Sequence, residues 1–468
     1  MKLKICSFLC VICLLFSFSF MLTSCNFKDE SGIASAKINS NGELILTYMD
    51  GTKQNVGVVV GRDGVDGLDG SDGVDGVDGV DGVDGIDGIN GVDGSDGSSG
   101  SLVITGNGSN IPASSAKGLR SAVSIVCKFT ATVQNSGFFP GIGGGNKKQE
   151  YASAGSGVIY QLDKENGDAF IITNYHVVYD ASSDSKDGIS EDIVVYIYGS
   201  EIEGKEIKAT YVGGSLYYDI AVLRIEGSQI LRESDACKAE IDNSDFVTVG
   251  ETAIAIGNAQ GYGISASFGI VSVDSEYIVM TAADGKTEVS FRVMRVDTAV
   301  NSGNSGGGLY NENGKLIGIV NAKIVDDGVE NIGYAIPSNV AISVSDNIID
   351  YCYKKDESSV QRAMLGVSVF TSDSKAVYDT ESGLIHIEET VSVYEISNDS
   401  IAYGVLEAQD VLVSIKIGDT EKKITRQYHV IDSMLDVRVG DEIIITVIRD
   451  GETISLPLTI TKDCITSY

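Results

Sequence analysis

The sequence predicts a mainly β protein: strands closed into barrels or sandwiches, then a smaller α/β module. Three observations carry this. Strand candidates recur at short spacing, as Val123–Phe129, Gly157–Gln161, Ala169–Thr173, Ile193–Tyr198, Ile207–Val212 and Ile220–Ile225, with turn residues between them. A Gly/Ser run, Asn301-Ser302-Gly303-Asn304-Ser305-Gly306-Gly307-Gly308, joins two apolar strand-like segments. A helix-like stretch, Ala341 to Lys355, then precedes a second series of strands from Met364 to Thr461. Closing such sheets into barrels removes exposed edges.

The chain opens with Met1-Lys2-Leu3-Lys4, an apolar run from Ile5 to Leu22, and then Thr23-Ser24-Cys25. A basic start, an apolar middle and small residues before the break read as a secretory signal over residues 1–24. Leu22-Thr23-Ser24-Cys25 resembles a bacterial lipobox, which makes Cys25 the expected lipidated residue. The competing reading is an uncleaved membrane helix, since about 18 apolar residues can just span a bilayer. Both place the remainder outside the cytoplasm and tethered to a membrane.

Residues 25–60 contain alternating apolar and polar positions with turns at Asn41-Gly42 and Asp50-Gly51, which predict a small β-meander. From 61 to 100 glycine falls at every third position, usually as Gly-Val-Asp or a close variant. Period-three glycine is the collagen pattern, but the repeat lacks proline and carries an aspartate in most triplets. A triple-helical stalk on the order of 120 Å and a solvated linker are therefore both open. A polar joint over 101–116 leads to the first large domain, 117–345.

That domain holds three residues that make sense together. His176 ends the apolar run Ala169–Thr173-Asn174-Tyr175-His176, Asp219 opens the strand Ile220–Leu223, and Ser305 sits among glycines. Each alone has a plainer reading: a strand-end histidine, a turn aspartate, a glycine-rich turn. The order His, Asp, Ser is that of the chymotrypsin-type triad and differs from the subtilisin and α/β-hydrolase orders. The chemistry assigns Ser305 as nucleophile, His176 as base and then acid, and Asp219 as the group that fixes the imidazole tautomer. The N–H groups of Gly303 and Ser305, with Asn304 between them, are the expected oxyanion donors.

Several blocks around these residues are similar to the catalytic domain of the HtrA/Deg serine proteases. They are Gly155-Ser156-Gly157-Val158-Ile159, Thr173-Asn174-Tyr175-His176-Val177-Val178, Asp219-Ile220-Ala221-Val222-Leu223, Ala255-Ile256-Gly257-Asn258, Gly303-Asn304-Ser305-Gly306-Gly307 and Gly333-Tyr334-Ala335-Ile336-Pro337. The resemblance implies a chymotrypsin-like double β-barrel and an endopeptidase acting on unfolded or damaged proteins. It also implies a homotrimer, no cofactor, no metal, and a small apolar primary pocket for which Val300 and Ile332 are candidates. Two departures stand out: Ala259 where the family usually has proline, and Val320-Asn321 where an Asn-Thr pair is common. Phe138–Ala154 falls where the family carries a regulatory loop.

The last module, 360–465, runs through Met364-Leu365-Gly366-Val367, Val411–Ile415 and Val439–Ile443 to an edge-like strand. It resembles a circularly permuted PDZ domain. Leu365, Gly366 and Val367 would offer N–H groups to a terminal carboxylate while a strand edge pairs with the peptide. C-terminal or extended peptides are thus the expected partners there.

The formal charge of −32 over 468 residues argues against nucleic acid, because phosphate binding relies on Lys and Arg. Beyond the leader and Cys25, the cysteines Cys127, Cys237, Cys352 and Cys464 lack metal-ligand spacing, and their pairing is not readable. The main reading is an extracytoplasmic, lipid-anchored serine endopeptidase. Its rivals are a chaperone or peptide-binding scaffold with a silent or conditionally active protease fold, and a collagen-like adhesin. The intact His176, Asp219 and Ser305 favour the enzyme.

Overall fold

The structure, a computed structural model, describes residues 33–39, 43–48, 51–58, 111–134, 146–200, 204–322, 332–355, 360–380 and 382–467. The chain divides into two units, 1–100 and 101–468. In the first, β1 (Ile33–Ile38), β2 (Glu43–Tyr48) and β3 (Lys53–Val58) form an antiparallel meander. The leader with Cys25, the glycine repeat and residues 101–110 lie outside the described residues.

The second unit begins with α1 (Ile111–Ser121), so residues 111–116, read as linker, are the first turns of a helix. Strands β4 (Ala122–Gln134), β5 (Asn146–Asp163), β6 (Asp168–Thr173), β7 (Asp192–Ile197), β8 (Ile207–Ser215) and β9 (Ile220–Ile225) close a barrel in the order β4-β5-β6-β9-β8-β7. A short helix, α2 (Tyr175–Val178), follows β6. β10 (Thr252–Gly257), β11 (Ser265–Thr281), β12 (Glu288–Val296), β13 (Gly308–Tyr310), β14 (Leu316–Val320) and β15 (Gly333–Pro337) close the second. The segment Phe138–Ala154, expected as a loop, is strand from Asn146 onward, where Ala154 pairs with Val126 and Asn146 with Gln134.

Alternation decides how the barrels pack. Along β9, Ala221 and Leu223 join Val123, Ile125, Ile159 and Ile171 in a cluster confined to the first barrel and its flanking segments. The opposite parity, Ile220 and Val222, joins Val158 and Ile172 against Ile254, Ile256, Ile319 and Ile336 of the second barrel. A strand presents successive side chains to opposite faces, so one strand serves both cores. Burying each such Val or Ile stabilises by about 1.5–3 kcal/mol. Helix α3 (Ser338–Ile348) adds Val340, Val344 and Ile348 to the shared cluster. It starts before Ala341, and the turn from Ile349 to Tyr353 is a π-helix.

The C-terminal part has its own core, with Val391, Val393, Ile415, Ile443, Ile445 and Val447 at its centre. β16 (Gln361–Ala363) pairs with a late strand, Ile465–Ser467. Strands β17 (Val367–Tyr378), β18 (Ile385–Ile396), β19 (Val411–Ile417), β20 (Thr420–Lys423), β21 (Glu442–Arg449) and β22 (Glu452–Thr459) build a sheet in the order β17-β18-β19-β21-β22, with β20 off β19. Helix α4 (Tyr428–Ser433) packs beside it. The arrangement is consistent with a PDZ domain, and the molecule is mainly β. Among the described residues Cys127 and Cys464 are buried, Cys237 and Cys352 are half-buried, and none of the four forms a disulfide.

Candidate active site

His176 lies in the first turn of α2, and Asp219 immediately precedes β9. Asp219 takes a left-handed backbone, φ +52°, which few residue types tolerate. Its carbonyl holds that turn in place by accepting from Asn174 Nδ2 (2.8 Å) and Tyr175 N–H (3.2 Å). Its carboxylate is aimed by the same turn. Oδ1 accepts from the His176 backbone N–H at 3.0 Å, and Oδ2 contacts His176 Nδ1 at 2.7 Å. A further donor, Asn321 Nδ2, reaches Oδ2 at 2.8 Å from the end of β14. This geometry makes Nδ1 the protonated nitrogen and leaves Nε2 as a base.

Ser305 comes from the second barrel and is nearly buried, 6% exposed. Its carbonyl accepts from Ser156 N–H on β5 at 2.8 Å. Ser156 Oγ in turn donates to Gly303 O (2.7 Å) and accepts from Asn258 N–H (2.7 Å). One serine of the first barrel thereby fastens both the Ser305 loop and the end of β10. The hydroxyl of Ser305 accepts from Ala322 N–H at 3.3 Å and, among the described residues, makes no hydrogen bond to His176. Such bonds are often long before substrate binds.

The loop's N–H groups divide cleanly. Asn304 N–H donates to Asn301 O (2.9 Å) and Gly306 N–H to Val320 O (2.9 Å). The N–H groups of Gly303 and Ser305 have no acceptor among the described residues. Asn304, expected alongside them as an oxyanion donor, is thus engaged in the turn itself. Ser302 O accepts from Gln260 N–H at 2.7 Å, which sets the 302–303 peptide with its N–H turned away from that contact. Gly303 has φ +94°, and a Cβ there would sit 2.3 Å from Asn258 O, so only glycine fits.

Gly333, next to Ile332 in the chain, packs against Val300: a Cβ at Gly333 would lie 2.6 Å from Val300 Cγ2. Leu365, Gly366 and Val367 stand elsewhere, at the entry to β17, where Leu365 is buried and Gly366 O accepts from Ser397 N–H at 2.8 Å. His386 contacts Glu388 at 3.3 Å and His429 sits near Asp245 at 4.0 Å, both apart from Ser305. The sequence marks Asn321 only as a departure from the family that leaves the triad untouched; in the structure it donates to Asp219. Ala322 is not singled out by the sequence, and its place two residues past a buried strand is its local signal.

Two six-stranded barrels with this site between them define a trypsin-like serine peptidase, and residues 155–319 match the family described as a trypsin-like peptidase domain. The chain belongs to the Do-like HtrA family of serine proteases and is a serine-type endopeptidase. It is 31% identical over 379 residues to Serine protease Do-like HtrA of Lactococcus lactis subsp. cremoris, spanning 76% of this chain and 85% of that one. It is 32% identical over 327 residues to the Do-like HtrA of Bacillus subtilis, 68% and 66% of the two chains. Periplasmic serine endoprotease DegP of Escherichia coli K12 is 28% identical over 337 residues, 71% of this chain and 62% of that one. Among solved structures, an HtrA-type protease AlgW with decapeptide aligns at 24% identity, TM-score 0.45, covering 74% of this chain and 97% of that one.

Proposed function

We propose that this endopeptidase cleaves unfolded or damaged proteins outside the cytoplasm, using Ser305, His176 and Asp219. The observation that carries the reading is the Asp219 carboxylate, which receives both the backbone N–H and Nδ1 of His176. Ser305 Oγ attacks the scissile carbonyl while His176 Nε2 takes its proton. The N–H groups of Gly303 and Ser305 receive the developing oxyanion. His176 then protonates the leaving amine, and water repeats the sequence on the acyl-enzyme. Val300 and Ile332 line the pocket for the residue before the cut. Leu365, Gly366 and Val367 bind terminal carboxylates of partner peptides. Cys25 carries a lipid that tethers the protein to the membrane, and three copies assemble, a reading supported by the family and by Leu22-Thr23-Ser24-Cys25.

One observation favours a second state. The Ser305 hydroxyl is bonded to Ala322 N–H rather than to His176, which supports a conditionally active enzyme that binds peptides while at rest. Casein hydrolysis separates the readings. Ser305→Ala and His176→Ala are each expected to lower turnover by roughly 10⁴–10⁶, because triad members act as a unit. Hydrolysis equal to wild type in either variant removes the assignment. Casein binding without cleavage, at every pH and temperature tried, supports the resting scaffold instead. A fluorophosphonate label should map to the Ser305 peptide.

A further inference from the structure

A cavity of about 260 Å³ lies where the C-terminal domain meets the barrels. That is below the roughly 300–1,000 Å³ of small-molecule sites, and suits one side chain with a charged end. Leu365 and Gly366, at the entry to β17, and Val430 and Met434, from α4, line one side. The other side is made by the barrels: Tyr277 on β11, with Phe291 and Arg292 on β12.

Its polar groups suit a monoanion. The N–H groups of Leu365 and Gly366 have no acceptor among the described residues. Arg292, Arg362 and Asp432 also line the cavity. Arg292 is 1% exposed, and its Nε and Nη1 have no hydrogen-bond partner among the described residues.

The strand edge beside the cavity is closed one step further along. β17 is an outer strand of its sheet, the kind of edge to which an extended peptide adds. Gln427, at the start of α4, reaches across to it. Its Nε2 donates to Val369 O at 3.2 Å, and its Oε1 accepts from Thr371 Oγ1 at 3.3 Å. Its own N–H is held by Glu389 Oε2 at 2.6 Å. The Val369 carbonyl, which an added strand would use, is thus already taken.

We propose that this cavity is a composite, length-limited site for the end of a protein chain: an apolar last residue with its free carboxylate. Tyr277 of the protease domain is one wall, and Gln427 stops the peptide from pairing further along β17. The proposal rests on the peptide-binding reading of the C-terminal domain given above and adds the wall and the stop. Gln427 is a specificity-determining residue that selects for a short terminus. Binding requires the two domains to be docked, because Tyr277 and Arg292 come from the barrels.

The test uses the full chain carrying Ser305→Ala, so that no probe is cleaved, and fluorescence anisotropy of labelled peptides ending in leucine. The free-acid tripeptide should bind, and its C-terminal amide should be weaker by about tenfold or more, as loss of a charge-assisted hydrogen-bond set predicts. A nonapeptide with the same end should bind within about twofold of the tripeptide. Adding Gln427→Ala should tighten the nonapeptide by about fivefold and leave the tripeptide unchanged. Adding Tyr277→Ala should weaken both by about fivefold. A nonapeptide far tighter than the tripeptide and indifferent to Gln427→Ala overturns the length limit. Indifference to Tyr277→Ala overturns the composite wall. Either result leaves the peptide-binding reading standing. Absence of binding by any free-acid peptide, or equal binding of acid and amide, overturns that reading itself.

Discussion

Asn321 shows how much one side chain can do from the second barrel. Its amide donates to the Asp219 carboxylate that orients His176. A hydrogen bond to a charged group contributes about 1.5–3 kcal/mol. Asn321→Ala should therefore lower kcat/KM by roughly 10–100-fold with little change in fold. Steady-state kinetics on an unfolded substrate checks this, and unchanged kinetics would mean that Asp219 is held by His176 and its own turn alone. His429 carries a different prediction. Burial first, then Arg292, Arg426 and Lys422, hold its pKa down at about 4 from 6.5, against the opposing pull of Asp245. The unfolded chain binds this proton at higher pH than the folded one, so stability rises with pH across that window. The contribution is complete above about 6.5 and is lost as pH falls toward about 4. His429→Gln should flatten the drop in urea midpoint between pH 7 and pH 5; an unchanged drop would place its cause elsewhere.

At the scale of elements, the loop from Asn301 to Gly307 is set by contacts that a single substitution can break. Gly303→Ala puts a methyl group against Asn258 O and forces the 302–303 peptide to move. Losing one oxyanion donor costs on the order of 10²–10³ in turnover, and Gly303→Ala should cost at least that in kcat with KM less affected. Wild-type kcat would show that Gly303 N–H is not a donor. Much of this level was legible in the chain. The six strand candidates from Val123 to Ile225 each match a strand of the first barrel, with Tyr198 alone one residue past its strand, because alternate apolar residues serve two cores at once. Helix α1 was not legible: Pro112, Ser114 and Ser115 read as part of a polar joint. Packing overrides that composition, since Gly118 lets the helix lie against Ile256 and Tyr310. The three spaced residues His176, Asp219 and Ser305 could be read from order and chemistry. The Asn321 and Gln427 contacts could not, because each joins positions that only the folded chain brings together.

Across the whole of the second unit, the domains meet around a buried cation. Arg292 of β12 faces Asp432 at 2.7 Å and Asp245 at 3.1 Å, and its guanidinium lies 3.9 Å from the Tyr428 ring centroid. Burial pushes the Asp432 carboxyl above its usual range even with Arg292 opposing it. Removing one partner of such a pair costs about 3–5 kcal/mol, whereas replacing both with apolar groups is often neutral. Arg292→Met should lower the urea midpoint sharply, and Arg292→Met with Asp432→Leu should restore most of it. A double variant as weak as the single one would mean that the pair itself, not the stranded charge, holds the domains.

The fastening of the Ser305 loop by Ser156 bears on timing as well as on geometry. His176 and Asp219 precede Ser305 in the chain and leave the ribosome first, as N-terminal parts do. Gln260 and Val320 hold the nucleophile's loop from its own barrel, but the carbonyls of Gly303 and Ser305 find their donors only when β5 of the other barrel is in place. A copy in which only the first barrel has formed therefore holds His176 and Asp219 with no positioned nucleophile beside them.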